Sequence, residues 1–205
     1  AHGIRALADA HMRELVAGAL VAKGYDVADF VAMAFGGAGP THVEGFTAGL
    51  GFSAILFFPY SAAFSAFGCA AADIEQTMPL SVTLVVPPRA TDAEIVRLAE
   101  RLNAGWEQLE ARTMERMEAQ GFRQSEVSLR HTAAIRYGRQ LNDLIIQSPV
   151  TRIRRIEDWR ALVATFELEY EHVYTHSAKY PQAGYEVYEV SVTASVRKTK
   201  PRLVA

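Results

Sequence analysis

A chain of 205 residues, half of them hydrophobic, is long enough to bury the core of one large domain or of two modest ones. Its formal net charge of -2, with no basic block, gives no electrostatic reason to expect nucleic acid as a partner. The single cysteine, Cys69, excludes an internal disulfide framework, so we expect a reducing compartment, the cytoplasm.

The N-terminal residues and the longest uncharged stretch bear on secretion and on membranes. No signal peptide is expected, since His2, Arg5 and Asp9 interrupt the early apolar residues. The chain begins at Ala1 inside a helical pattern, which is typical of a processed subunit or of a piece of a longer chain. Residues 45–72 carry no charge, but their glycines and a change of periodicity favour buried helix, strand and helix over one membrane span.

Residues 1–88 are predicted to alternate helices with strands. Apolar residues at helical spacing indicate an amphipathic helix over residues 4–23, closed by Gly24. Continuous apolar runs predict short buried strands over residues 30–35 and 54–58, and this order favours a parallel sheet with covered faces. The other elements predicted here are a helix over residues 41–50, a small-residue helix from about residue 62 and a strand over residues 78–86.

A second module, residues 89–205, is predicted to follow Pro87 and Pro88, where charged residues become frequent and glycine becomes scarce. Thr91 and Glu94 have the spacing of a capping box, which indicates the start of a long amphipathic helix reaching Gly121. The other elements predicted for this α+β module are paired strands over residues 128–137 and 143–147, a helix over residues 157–174 and a strand over residues 185–197.

Residues 36–40, Gly-Gly-Ala-Gly-Pro, form a glycine turn between a predicted strand and a predicted helix. Missing Cβ atoms let a ligand lie against the backbone, and free amides at a helix start attract anions. Pro40 suits the first helical position. The spacing matches neither the dinucleotide fingerprint nor the P-loop, so a tight turn with no ligand remains an alternative.

The run AFGGAGPTHVEGFTAGLGFSAILFFPYSAAFSAFGCAAADI, residues 34–74, resembles the hydantoinase/oxoprolinase family, whose large ATP-binding subunits carry a phrase close to AFGGAGPLHA. AAIRYGRQLNDLII, residues 133–146, is similar to a strand pair of that family. Residues 1–30 resemble the helix before the phrase, and residues 166–200 resemble the family's C-terminal helix and last strand. The resemblance therefore covers essentially the whole chain.

The family is similar in fold to the actin, Hsp70 and sugar-kinase ATPases, in which two lobes close over ATP. The resemblance implies an α/β fold in which residues 1–88 are part of an actin-like ATPase lobe, with a mixed or parallel sheet and flanking helices. A hinge helix would contain Ser65 and Gly68. The residues implied to face the adenosine side of the nucleotide are Gly36, Gly37, Ala38, Gly39, Thr41 and His42.

The family's phosphate-binding lobe and metal-associated aspartates have no counterpart in these residues. We therefore expect only part of an ATP site here, with the metal ligands outside this chain and no catalytic or metal-binding residue within it. The implied cofactor is ATP with a divalent metal. The implied partners are other subunits or the missing N-terminal lobe of the same enzyme, together with a small-molecule substrate, and neither nucleic acid nor a membrane.

The family contains ATP-dependent ketone carboxylases, acting on acetone or acetophenone, and ATP-dependent ring-opening amidohydrolases of the hydantoinase and 5-oxoprolinase type. Residues 60–68 depart from the Pro-Gly phrase usual in the amidohydrolases, and residues 180–185 also look more like the carboxylase branch. The resemblance thus implies part of a ketone carboxylase that joins a ketone to bicarbonate. The alternatives are a ring-opening amidohydrolase and a non-catalytic assembly subunit.

His42 falls in the first turn of the predicted helix, where the helix dipole favours a neutral imidazole. Such a ring can donate one hydrogen bond to substrate or phosphate and accept another. The alternative is a hydrogen bond from His42 to a neighbouring backbone group. Thr41 is expected either to contact phosphate or to bond within the turn.

Several other residues are predicted to have structural roles. Cys69 is expected to be a small buried packing residue, and Asp73 a surface or hinge residue. His172 and His176, four residues apart, would share a helical face as in a zinc site, but no third ligand has suitable spacing. The carboxylates within residues 107–118 alternate with arginines, which predicts a solvated helix face.

Overall fold

The computed structural model describes residues 2–201. The described residues fold into two compact units: the first contains residues 2–72 and 199–201, and the second comprises Asp73–Lys198. None of the helices in residues 2–201 is long and apolar enough to cross a bilayer. The uncharged residues 45–72 instead form the end of one helix, a strand and a further helix.

The described part of the first unit contains three α-helices and a two-stranded parallel sheet. Their bounds are α1 His2–Val21, β1 Val31–Ala34, α2 Gly39–Thr47, β2 Ala54–Phe57 and α3 Phe64–Ala71. The chain leaves α1 through Gly24, whose φ of 71° suits a glycine that ends a helix. β1 and β2 pair in register from Val31 with Ala54 to Ala34 with Phe57, so the predicted parallel pairing is confirmed.

The expectation that the faces of this sheet are covered is wrong for the residues described. All four residues of β2 are exposed, and Met33 of β1 is 56% exposed. The apolar sequence of these strands is that of a buried sheet, but α2 packs only on part of β1, where Ala34 is buried, and β2 stays exposed. A two-stranded sheet of this kind is not stable by itself in water.

The second unit is an antiparallel sheet packed against two helices. Its elements are β3 Ile74–Val86, α4 Asp92–Ala119, β4 Val127–Tyr137, β5 Leu144–Gln147, α5 Ile156–Tyr174 and β6 Tyr185–Val196. The strand order is β3-β6-β4-β5. β3 lies in this unit because it pairs with β6 from Ile74 opposite Val196 to Val86 opposite Tyr185, so the structure divides at Asp73, fifteen residues before Pro88.

The core of the second unit lies between α4, α5 and the sheet. Trp106 and Phe166 are fully buried, one from each helix, as is Val190 from β6. α4 starts at the predicted capping box: Glu94 Oε2 accepts from the Thr91 amide at 2.8 Å, and the Glu94 amide donates to Thr91 Oγ1. This reciprocal pair satisfies two amides that a helix start otherwise leaves free.

Candidate functional site

The glycine turn connects the end of β1 directly to the start of α2. Gly36 has a φ of 83°, a backbone conformation that glycine adopts without strain. A Cβ atom placed on Gly37 or Gly39 would meet nothing within 4 Å. Packing within the described chain therefore does not require glycine at these two positions, and the backbone of the turn borders open space.

Free backbone amides lie in this turn. The amide of Gly36 donates to the carbonyl of Ser61 at 2.7 Å, whereas no described residue accepts from the amides of Gly37 and Ala38. Ala38 precedes α2 and gives it no side-chain cap. The start of α2 thus offers backbone donors together with the positive end of the helix dipole.

Thr41 uses its hydroxyl group inside the turn. Its Oγ1 lies 2.9 Å from the carbonyl oxygen of Ala38 and 3.2 Å from that of Gly37, and it donates to them. Of the two roles considered for Thr41, the structure shows the bond within the turn. The hydroxyl oxygen keeps its lone pairs as acceptors.

His42 is bound by a side chain of α1. Its Nδ1 lies 2.6 Å from Oδ1 of Asp9, a carboxylate that is only 8% exposed. Nδ1 therefore does not make the hydrogen bond to a neighbouring backbone group that the sequence left open as an alternative. Asp9 belongs to a different helix, 33 residues earlier in the chain.

Three charged residues of α1, spaced four apart, hold α2. Arg5 donates to the carbonyl of Thr41 at 3.0 Å, and Arg13 donates to the carbonyl of Gly45 at 2.6 Å. Asp9 lies between the two arginines in the sequence, and Arg5 Nε is 3.7 Å from its Oδ2. This arrangement is absent from the sequence-based predictions, although Arg-x3-Asp-x3-Arg on an amphipathic helix places all three side chains on one face.

The structure brings the glycine turn together with the segment that leads into α3. Besides the bond from Gly36 to Ser61, the rings of Phe35 and Phe64 lie 5.7 Å apart between centroids. The two residues predicted for the hinge, Ser65 and Gly68, lie on α3, and both are exposed. The two segments that the sequence assigned to a functional site are therefore neighbours in the first unit.

Cys69 and His176 differ from their sequence-based interpretations. Cys69 is exposed on α3, so the expectation that it is buried is wrong. α5 ends at Tyr174 and Thr175 takes a φ of 81°, which turns His176 off the helix that carries His172. Residues 2–201 bring no three His, Cys, Asp or Glu side chains together as a metal ion would require.

One carboxylate on α4 is also not part of a solvated face. Glu110 accepts two hydrogen bonds from Arg152, at 2.7 and 2.6 Å, and its Oε1 lies 2.5 Å from Nε2 of the buried His131. The hydrogen bonds from Arg152, and after them the one from His131, lower the pKa of Glu110. The neighbouring cleft, of about 630 Å³, is lined by Arg152, Arg154, Arg155 and Asp158 among others.

The parallel strand pair with its glycine turn and flanking helices, followed by an α+β module, is a fold of the hydantoinase and actin-like ATPase type. Residues 1–78 match the family profile described as hydantoinase/oxoprolinase, and residues 89–205 match the hydantoinase/oxoprolinase C-terminal domain. The chain belongs to the hydantoinase/oxoprolinase family. The resemblance and the fold class expected from the sequence are both confirmed.

Two ketone carboxylase subunits are among its relatives. The chain is 36% identical to the acetone carboxylase beta subunit of Xanthobacter autotrophicus over 203 residues, which are 99% of this chain and 28% of that protein. It is 28% identical to the acetophenone carboxylase gamma subunit of Aromatoleum aromaticum over 84% of this chain and 23% of that protein. The chain therefore spans about a quarter of the length of these relatives.

Solved structures give the same result for the fold. The nucleotide-free structure of acetone carboxylase matches 98% of the chain with a TM-score of 0.74 and 36% identity, over 28% of that chain. The ATP-dependent caprolactamase of Pseudomonas jessenii matches 99% of the chain with a TM-score of 0.80 at 22% identity, over 28% of that chain. The second match concerns the fold alone.

Proposed function

We propose that this chain is part of an ATP-dependent ketone carboxylase of the acetone or acetophenone carboxylase type, and that it contributes the adenosine side of the nucleotide site. Membership of a family whose relatives include ATP-dependent enzymes supports an ATP-dependent enzyme subunit. The identity to the acetone carboxylase beta subunit, 36% over 99% of the chain, favours the carboxylase branch.

The observation that carries the nucleotide role is the open backbone of the glycine turn. Gly37 and Gly39 border open space, and the amides of Gly37 and Ala38 are free to donate. A nucleotide fits this surface because it can approach the backbone closely and accept from amides at a helix start. The residues that would hold it are Gly36, Gly37, Ala38, Gly39, Thr41 and His42, with Ser65 and Gly68 in the hinge.

When bound, ATP with its divalent metal would supply the phosphoryl group that activates an oxygen of bicarbonate or of the ketone's enol, with ADP as the leaving group. The part of this chain is to position the nucleotide and to shape closure of the lobe. We propose that the metal ligands and the groups for phosphoryl transfer lie outside this chain, in other subunits or in an N-terminal lobe. The relatives named as beta and gamma subunits support the presence of partner subunits.

Gly37→Val tests the nucleotide role in the intact assembly that contains this chain. A branched side chain on the open backbone should exclude the nucleoside and abolish ATP turnover. Gly18→Val is the matched control, because Gly18 on α1 also has open space around it and, like Gly37, has no positive φ. Unchanged ATP turnover in a correctly assembled Gly37→Val protein would favour the non-catalytic assembly subunit.

The substrate class is tested by measuring ATP turnover with acetone or acetophenone plus bicarbonate, and separately with lactams and hydantoins. Ketone- and bicarbonate-dependent turnover is expected. Turnover that depends on a lactam or hydantoin instead would favour the ring-opening amidohydrolase. That alternative is kept because the caprolactamase subunit alpha of Pseudomonas jessenii is 25% identical over 88% of this chain.

A further inference from the structure

We propose that Asp9 is a positioning residue for His42. Its carboxylate keeps a hydrogen on Nδ1 of the imidazole, so that Nε2 accepts a hydrogen bond from a hydroxyl or amino group of the nucleoside. This inference rests on the proposed nucleotide role of the glycine turn. It adds Asp9 of α1 to the residues of the candidate site, and it specifies that His42 accepts the hydrogen bond it makes with the nucleotide.

The hydrogen bond between the two residues fixes where the hydrogen lies. Asp9 Oδ1 is 2.6 Å from Nδ1, and an ionised carboxylate can only accept, so the hydrogen is on Nδ1. In a neutral imidazole the other nitrogen is then an acceptor. No residue among those the structure describes hydrogen-bonds to Nε2, and the His42 side chain is 27% exposed.

Two features near the ring oppose the attraction that the ionised Asp9 carboxylate has for a protonated imidazole. Arg5 already places its guanidinium 3.7 Å from Oδ2 of Asp9. His42 also lies in the first turn of α2, where the helix dipole opposes a cation. With its hydrogen on Nδ1 directed at Asp9, the neutral ring presents Nε2 as the acceptor.

The carboxylate cannot easily turn away from His42. A Cβ atom at Gly45 would lie 2.1 Å from Oδ2 of Asp9, so α1 and α2 approach each other closely at this point. The hydrogen bonds from Arg5 to Thr41 and from Arg13 to Gly45 hold the two helices together on either side. The imidazole is therefore oriented before any ligand arrives, which is the condition for an effective positioning residue.

An accepting Nε2 distinguishes between the parts of a nucleotide. Phosphate oxygens are acceptors and gain nothing from it, whereas the ribose hydroxyls and the 6-amino group of adenine are donors. The contact of His42 is thus assigned to the nucleoside. The sequence-based expectation that His42 donates to substrate or phosphate is replaced by this assignment.

The experiment measures nucleotide affinity of the intact assembly by calorimetry, with ATP and with three analogues that each lack one donor. These are 2′-deoxy-ATP, 3′-deoxy-ATP and purine riboside triphosphate. In the wild type, one analogue should bind about 3- to 10-fold more weakly than ATP, the loss expected for one neutral hydrogen bond. His42→Asn should lose the same factor with ATP, because its amide reproduces the Nδ1 donor to Asp9 but lacks Nε2.

The decisive measurement is whether the loss of affinity caused by the substitution and the loss caused by the analogue depend on each other. In His42→Asn the sensitive analogue should bind no more weakly than ATP. Asp9→Asn, which offers Nδ1 either an acceptor or a donor, should show reduced discrimination between the two ligands. Glu110→Gln alters the other short histidine–carboxylate pair, at His131 in the second unit, and should leave discrimination unchanged.

The outcomes separate this inference from the proposed function. Suppose that Gly37→Val abolishes ATP binding, but the wild type binds all three analogues as tightly as ATP, or the losses of affinity from variant and analogue simply add. The role of Asp9 is then overturned, while the nucleotide role of the glycine turn stands. If Gly37→Val leaves ATP binding intact, both fall. His42→Asn keeps the bond to Asp9, so it remains informative even where Asp9→Asn fails to fold.

Discussion

Asp9 occupies the space that a side chain at Gly45 would need: a Cβ atom built on Gly45 would lie 2.1 Å from Oδ2 of Asp9 and 2.9 Å from its Cβ. The absence of a side chain at residue 45 is therefore what allows α1 to lie against α2. The same close approach brings Asp9 to His42. Packing of the helices and geometry of the candidate site depend on one glycine.

Gly45→Ala should destabilise the protein, although alanine normally stabilises a helix relative to glycine. The intrinsic preference is worth roughly 0.5–1 kcal/mol, whereas forcing extra atoms into a packed contact costs about 1–3 kcal/mol. We expect the free energy of unfolding of the intact protein in urea to fall by about 1–2 kcal/mol. Gly18→Ala, which meets nothing within 4 Å, is the control and should lose nothing. Equal effects of the two changes would contradict the prediction.

Gly184→Ala should be more damaging, because two independent constraints meet at this residue. Gly184 takes φ 75° and ψ -170°, a region used almost only by glycine, and its Cβ atom would lie 2.3 Å from the carbonyl oxygen of Val86. We expect a loss of about 3 kcal/mol or more, measured by urea unfolding.

Gly121→Ala separates the two constraints at Gly184. Gly121 also has a positive φ, of 90°, but its Cβ atom would meet nothing within 4 Å. It should therefore cost only the backbone strain, about 1–2 kcal/mol. If Gly184→Ala costs no more than Gly121→Ala, the contact with Val86 is unimportant.

Glu110→Gln should destabilise the protein at neutral pH and lose this effect in acid. Hydrogen bonds from Arg152 and His131 lower the pKa of Glu110 below its ordinary value of 4.5. The folded protein therefore favours the charged carboxylate more than the unfolded chain does, and this stabilisation is complete above pH 4.5. It is lost as the pH falls below 4.5 through the pKa of the folded state.

The measurement for Glu110 is the difference in urea midpoint between wild type and Glu110→Gln, followed from neutral pH to pH values well below 4.5. The difference should shrink with falling pH. Glu115→Gln, at an exposed position of the same helix, should show a small difference that does not change with pH. A constant difference for Glu110→Gln would mean that its charge does not contribute.

The secondary structure was predictable because periodicity and caps are local features. The long helix from Thr91, for example, is marked at its start by the capping box and along its length by apolar spacing. The membership of β3 in the second unit was not predictable in this way, since its partner β6 lies about a hundred residues further along the chain. Pro87 and Pro88 mark the end of the strand β3. A local sequence pattern does not distinguish the end of a strand from the boundary between two modules.

The glycine turn was predictable, but the residues that support it were not. Gly36 and Pro40 by themselves predict a turn and the start of a helix. The contact between Asp9 and His42 depends on how α1 packs on α2, which no local pattern specifies. The same holds for Glu110. In the sequence it is one of several carboxylates on a charged helix, and its ion pair with Arg152 forms only through the tertiary fold.

The open sheet of the first unit makes this part of the chain prone to aggregation as long as its apolar side chains remain exposed. The outer edges of β1 and β2 have no further strand beside them in the part of the chain that is described, and Phe57 is 57% exposed. Unpaired strand edges with exposed apolar side chains are templates for pairing with other chains. Recombinant production of the chain is therefore expected to give more soluble protein when the partner subunits proposed above are co-expressed, and chains made without them should be degraded quickly in the cell.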